Sequence, residues 1–487
     1  MISGWIAKLD ELIWGPWLLI FMLGTGAWLM LRLHFLPVRR LKFALRCVLG
    51  LEPEYGRDVR RRERGGRGRK ASVGMSPFAS LTTELAATIG TGNIVGVATA
   101  MVLGGPGALL WMMAASVLGL ATKLMESSLA VKYHSYNELG ERVGGPMYIL
   151  QNALPRTRGR HSGKVGRFLA LSYAFFAVAA SFGMGNMTQS NSIAEACRVT
   201  FDAPVAMTGL SLTIATILVV LGGLGSIAKV TRVLVPFMGG FYILGTMGVI
   251  CLNMGRIPQG LGAILVMAFA PEAVTGGFLG NLTMMASLSL SKSIRFGVSR
   301  GVFSNEAGLG AAGITAAATD TEDYVRQGYI SMTGVFLDTM IICLLTGLAF
   351  VTSGLLGTTA PSGELLNGTE LTIAVFTSAY GVWGARFVSI SIILFAFATI
   401  VAWAYQGEKA FEFLIGGTRY NVWYRFVYVL VVFVGAVCSL EIVWNFSDIC
   451  NGLMAVPNLI GILVLSLKKD GICSEIRRYD RQSGIES

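Results

Sequence analysis

The chain has 487 residues, of which 53% are hydrophobic and only 14% charged, against about 25% charged in soluble domains. Its mean hydropathy of +0.63 excludes an ordinary soluble domain and places the chain in a bilayer. A net charge of +11 invites a nucleic-acid partner, but the basic residues fall in gaps between apolar runs, where they set membrane orientation instead.

A membrane-spanning helix needs about 20 mainly apolar residues, and the first such run is Trp14 to Leu33. No basic segment or small-residue cleavage site of a signal peptide precedes it, so it is expected to be retained. A basic stretch follows, with Arg57, Arg60, Arg61, Arg62, Arg64, Arg67 and Arg69. It predicts a cytoplasmic loop over 39–76 and an N-terminus outside.

The next run, Glu84 to Gly107, is interrupted at its middle by Gly90-Thr91-Gly92-Asn93, with Gly96 beyond. Glycine costs roughly 1 kcal/mol against alanine inside a helix. Broken backbone in a membrane is tolerated only where protein or a cavity surrounds it, and secondary transporters use such breaks to expose amides and carbonyls. Close packing through small residues is the alternative. Thr91 and Asn93 between the glycines favour a binding site.

Further spans are Leu109 to Val131, Phe168 to Gln189, Ala203 to Gly222 and Val230 to Met254. Lys132, Arg142, Arg156, Arg158, Arg160 and Lys164 mark an inner loop. Gly260 to Ala270 reads as an interfacial helix and Gly276 to Leu290 as a short or re-entrant piece. Gly301 to Ala318 is the second interrupted run. Tyr329 to Thr352, Phe387 to Phe411, Trp423 to Trp444 and Gly452 to Leu467 complete about eleven spans, before a basic tail over 468–487. The expectation is an all-α polytopic membrane protein, N-terminus out and C-terminus in. Two broken segments five spans apart point to an inverted repeat around a midplane site.

An enzyme would need a nucleophile with its base, or metal ligands. The three histidines, His34, His134 and His161, lie at a membrane edge or in a loop, and the seven cysteines lack C-x-x-C spacing. A polytopic membrane enzyme is therefore the weaker reading, with a transport-like sensor behind it. Ionisable residues inside spans are functional candidates by default. Glu306 in the second break and Asp338 are the possible cation or proton carboxylates. Glu84 and Glu126 read as structural groups near cytoplasmic ends, and Glu408 with Lys409 as an interfacial pair. Asn186, Gln189 and Asn191 form an uncharged polar cluster at the outer end of their span. Thr399 and Trp403 share one helix face, where Trp403 could cap a small substrate or simply pack.

These motifs resemble the alanine/glycine:cation symporters, sodium-coupled amino acid carriers of the amino acid–polyamine–organocation superfamily. The resemblance covers most of the chain. It is carried by GTGNIVGVATA from Gly90, GGPGALLWMM from Gly104, GMGNMTQSNSIAEA from Gly183, RFGVSRGVFSNEAGLGAA from Arg295 and FAFATIVAWAYQGEK from Phe395. Met113 stands where the family pattern has a second tryptophan, the Ala402 to Gln406 run is less tyrosine-rich than usual, and the arginine-rich loop looks like an insertion.

The resemblance implies a leucine-transporter-like fold. An extra helix over 1–38 precedes five-helix repeats over 77–256 and 257–467, the second including an outer-loop segment. It also implies that Thr91 and Gly92 present amides to a substrate carboxylate. Thr88 and Ile89 carbonyls would hold sodium with Thr399, Asn93 would serve the substrate amine or a second cation position, and Phe303, Ser304 and Gly308 would line the opposite wall. The implied activity is import of alanine or glycine with sodium across a bacterial inner membrane, with no cofactor and no nucleic-acid partner. Proton coupling or a larger substrate such as glutamine is the alternative.

Overall fold

The computed structural model describes residues 2–52, 74–154, 162–269, 290–360 and 363–482. Arg57 to Arg69, Arg156, Arg158, Arg160, His161 and nearly all of the Gly276 to Leu290 piece lie outside the described residues.

The chain opens with a short helix α1 (Ile2–Ile13) and the first span α2 (Pro16–Arg32). Two short helices follow, α3 (Leu36–Arg39) and α4 (Leu41–Val48). The first broken helix consists of α5 (Pro77–Thr88) and α6 (Val95–Gly104). Ser76 starts α5 as an N-cap, its hydroxyl accepting from Ala79 N at 3.2 Å, with Pro77 at the first helical position, where a missing N–H costs nothing. Gly90 then runs extended, and Thr91–Asn93 make a single tight turn before the helix resumes.

Helix α7 (Ala108–Lys132) returns and ends at a minimal hairpin, β1 (Ser135–Tyr136) with β2 (Arg142–Val143), and a short helix α8 (Pro146–Asn152). Helices α9 (Ser162–Phe182) and α10 (Thr188–Phe201) join through a π-helical turn, Gly183–Met187. The rod from Gly163 to Phe201 is 39 residues long, so Asn186, Gln189 and Asn191 lie in mid-helix, not at an outer end. The hydropathy drop at those polar residues suggested an end; burial against protein explains why the helix continues. Then come α11 (Val205–Val220), α12 (Gly223–Leu252) and α13 (Ile257–Phe269), the last matching the expected short helix.

The second broken helix is α14 (Leu290–Asn305) and α15 (Ala311–Ala317). Between them Glu306, Gly308 and Gly310 have φ of 56°, 96° and 79°. Helices α16 (Tyr324–Val335) and α17 (Leu344–Ser353) flank another π segment, Phe336–Cys343. A helix absent from the sequence reading, α18 (Gly368–Tyr380), precedes α19 (Val382–Ile415), α20 (Asn421–Val437), α21 (Leu440–Ser466) and an amphipathic α22 (Ile472–Gln482). The last two spans divide at Cys438 and Ser439, both extended, so Trp444 belongs to α21 and not to the preceding span. Ser439 and Glu441 are too few polar residues to break the apolar run across that corner, which hid it.

Burial separates the helices into two groups. Residues 79–98 and 297–319 are buried without exception, so both breaks and the turns flanking them are enclosed on every side. By contrast α11 exposes Met207, Leu210, Ile214 and Leu218, and α20 exposes Val422, Trp423, Phe426 and Leu430. Continuous apolar surface of this kind suits lipid. The broken backbone is therefore shielded inside a shell of apolar helices, as hydrocarbon requires.

Candidate functional site

At the first break Asn93 replaces the missing helical bonding. Its Oδ1 accepts from Gly90 N at 3.0 Å. Its Nδ2 donates to Asp338 Oδ1 at 2.7 Å and to the Asp338 carbonyl at 3.2 Å. The other oxygen, Asp338 Oδ2, accepts from Ser304 Oγ at 2.8 Å and Thr339 Oγ1 at 2.7 Å. Asp338 sits on the π segment, where the widened turn re-aims a side chain. One fully buried carboxylate thus gathers donors from both broken helices. Asn305 Nδ2 donates to Thr339 Oγ1 at 3.0 Å and extends the set.

The breaks touch directly. A Cβ at Gly92 would lie 3.2 Å from Phe303 Cδ1 and 3.2 Å from Ser304 Cα. A Cβ at Gly90 would lie 2.5 Å from Thr399 Oγ1 and 3.1 Å from Gln189 Oε1. Only glycine lets these elements approach so closely. Gln189 Oε1 accepts from Thr91 N at 3.1 Å, and Thr399 Oγ1 donates to the Ala86 carbonyl at 2.9 Å. The Thr88 carbonyl accepts from Gly90 N at 2.9 Å. Of the polar cluster on α9–α10, only Gln189 faces the break. Asn186 and Asn191 instead donate to carbonyls of Tyr428, Gly435 and Cys438.

At the second break Glu306 Oε1 accepts from Trp403 Nε1 at 2.8 Å. Trp403 is fixed in turn, because a Cβ on Gly185 would come within 2.4 Å of Trp403 Cβ and Cγ. Gly308 N donates to Glu126 Oε1 at 2.9 Å, and Asn458 Nδ2 bridges Glu126 Oε1 (2.6 Å) to the Gly308 carbonyl (2.9 Å). Lys123 Nζ donates to the Asn305 carbonyl at 3.0 Å. Glu126 was expected near a cytoplasmic end as a structural group; it instead serves the second break. Sequence spacing could not show this, since Glu126 and Gly308 are 182 positions apart. Glu84 accepts from Ser80 and Ser331 and joins α5 to α16.

The expected sites therefore converge. Thr88, Thr91, Gly92, Asn93, Gln189, Phe303, Ser304, Asp338 and Thr399 meet around the two breaks, with Glu306, Gly308 and Trp403 contiguous to them. Ile89 is buried at the end of α5.

The sequence profile of the sodium:alanine symporter family matches residues 1–486. This chain belongs to that family. The Sodium/alanine symporter AgcS of Methanococcus maripaludis is 43% identical over 98% of each chain. The Probable sodium/glutamine symporter GlnT of Bacillus subtilis is 32% identical, over 97% of this chain and 90% of its own. In fold the chain is similar to MhsT, solved in complex with L-phenylalanine, with a TM-score of 0.54, 13% identity, and coverage of 86% of this chain and 100% of that one. The protein is thus a multi-pass membrane carrier coupling sodium to a small neutral amino acid, and not an enzyme.

Both ends of this symporter are fastened. At one end Arg300 forms a two-pronged pair with Asp448, at 2.9 and 2.6 Å, both side chains under 10% exposed. Phe303 stacks on Trp444 with centroids 5.1 Å apart, and the Arg300 guanidinium lies 4.9 Å over Trp444. At the other end Lys409 pairs with Glu141 at 2.7 Å and Glu412 at 3.0 Å. Glu408 pairs with Arg425 and not with its neighbour Lys409, because adjacent residues on a helix point apart. Arg142 donates to the carbonyls of Thr319 and Thr321 at 2.8 and 2.7 Å, closing the hairpin over the exit of α15.

Proposed function

We propose that the symporter imports alanine or glycine with sodium, binding both between the two helix breaks. The observation carrying this reading is Asp338, whose carboxylate takes donors from Asn93 on one broken helix and Ser304 on the other. The carboxylate with the Ser304 and Thr339 hydroxyl oxygens suits a hard cation, and Asn93 and Ser304 tie that carboxylate to both moving elements at once. Thr88 and Ile89 carbonyls with the Thr399 hydroxyl supply a further sodium position.

The substrate carboxylate is received by Thr91 and Gly92 amides, where the half-helix end carries roughly half a positive charge. Gln189 occupies the Thr91 amide at 3.1 Å and yields it on substrate entry. Phe303, Ser304, Gly308 and Trp403 form the opposite wall. The close approach of Gly92 to Phe303 and Ser304 keeps the two breaks together and supports a small substrate. Substrate and ion in adjacent positions raise each other's affinity by the same factor, so a sodium gradient drives accumulation.

The repeats over 77–256 and 257–467 rock around this site. The basic loops between spans support an orientation in the bacterial inner membrane with the N-terminus outside and the C-terminus inside. Radiolabelled uptake into proteoliposomes tests the proposal. Alanine and glycine uptake should require an inward sodium gradient. Uptake following a pH step and indifferent to sodium, or saturable glutamine uptake in preference to alanine, overturns it.

A further inference from the structure

We propose that Glu306 receives the substrate's α-ammonium group and that Trp403 positions its carboxylate for this. The inference rests on the amino-acid reading above and extends it to the recognition of the second charge of the zwitterion.

Glu306 is fully buried, and its Oε1 is occupied by one neutral donor, the Trp403 indole, at 2.8 Å. Its Oε2 is buried and has no hydrogen-bond partner among the described residues. A buried carboxylate held by a single neutral donor is strongly under-compensated and calls for a cation. The buried ammonium in this region, Lys123, is turned to the Asn305 carbonyl at 3.0 Å. No basic side chain among the described residues makes an ion pair with Glu306.

Two carboxylates at the breaks thus have different surroundings. Asp338 accepts from Asn93, Ser304 and Thr339 on both of its oxygens, so neutral donors already meet its charge. Glu306 has an indole beside it instead. An organic ammonium can donate to the open oxygen and rest against the indole, an attraction that strengthens when desolvated. The position also fits. Ser304, two residues before Glu306, packs on Gly92, and an α-amino acid separates its two charged groups by one carbon. A carboxylate at the first break therefore leaves the ammonium facing the second.

The test compares alanine with lactate, which replaces the ammonium by a hydroxyl, in sodium-containing buffer on purified carrier. Wild type should bind alanine far more tightly than lactate. In Glu306→Gln the alanine Kd should rise about 100-fold, while the lactate Kd changes little and sodium still raises the melting temperature. Trp403→Phe, which removes the indole N–H donor and keeps a smaller aromatic ring, should weaken alanine about tenfold and serves if the first variant does not fold. Unchanged alanine affinity, or equal losses for alanine and lactate, overturns the assignment. So does loss of the sodium-induced shift, which would move Glu306 to the metal site. Retained alanine exchange with loss only of pH-driven uptake would make it a proton carrier and also overturn the assignment. If wild type binds a different amino acid, the substrate proposal fails separately, and Glu306 is judged on that amino acid and its α-hydroxy analogue.

Discussion

Asn93 Nδ2 lies 2.7 Å from Asp338 Oδ1, while Asn93 Oδ1 accepts from Gly90 N at 3.0 Å. One amide therefore ties the interrupted backbone of the first broken helix to a buried carboxylate on a third helix. Any shift of that break is felt at Asp338, and through Ser304 at the second break.

From this follows the first expectation. Asp338→Asn keeps the size of the side chain but removes the charge proposed to hold sodium. A charge-assisted contact contributes about 1.5–3 kcal/mol, so the sodium concentration for half-maximal uptake should rise roughly 10- to 100-fold. Uptake measured against sodium concentration checks this. An unaltered sodium dependence would remove Asp338 from the cation site.

A second expectation concerns the buried Arg300–Asp448 pair, 2.9 and 2.6 Å. Removing Arg300 strands a buried carboxylate, which costs about 3–5 kcal/mol. Arg300→Ala should lower the melting temperature and, on the proposed orientation, expose Phe303 to reagents added outside. Arg300→Lys should recover little, since a point charge cannot replace the forked contact or the stacking on Trp444. Thermal melting and labelling of a Phe303→Cys variant distinguish these outcomes. Full stability of Arg300→Ala would show that the pair contributes nothing to closure.

Much of this was legible in the sequence, for a physical reason. Hydrocarbon demands long apolar rods, so any glycine-rich interruption such as Gly90 to Asn93 or Glu306 to Gly310 stands out against its surroundings. The corner at Cys438–Ser439 did not stand out because apolar composition runs through it. Helix α18 was missed because it is short and only part apolar. The partnerships of Glu126 with Gly308, and of Lys409 with Glu141, join residues far apart in the chain, and spacing carries no signal for them. Gln189 could be singled out only as one of three amides; packing then separated it from Asn186 and Asn191.

A third expectation contrasts two glycines. A methyl on Gly185 would sit 2.4 Å from Trp403 Cβ and Cγ, whereas one on Gly96 meets nothing nearer than Thr91 O at 3.9 Å. Overpacking of this kind costs about 1–3 kcal/mol, and here it would also displace the indole from Glu306. Gly185→Ala should lose stability and most uptake. Gly96→Ala, inside α6, should be neutral or gain up to about 1 kcal/mol from helix propensity. Melting curves and uptake of both variants decide it, and a harmless Gly185→Ala would contradict the packing argument.

The last expectation is a pH dependence outside the membrane, at Glu141 on the hairpin. Burial pushes its carboxyl up, but the Lys409 ammonium at 2.7 Å, the Asn137 amide at 2.9 Å and the nearby Arg425 outweigh it and leave it below the ordinary range. A carboxyl depressed in the folded state favours folding wherever the unfolded chain would also be ionised. That stabilisation is present above about pH 4.3, the ordinary glutamate value, and is lost as pH falls through the lower folded value. Wild type should therefore lose melting temperature more steeply than Glu141→Gln on going from neutral pH to pH 4 and below. Parallel losses in the two proteins would show that the Lys409 contact does not couple to folding.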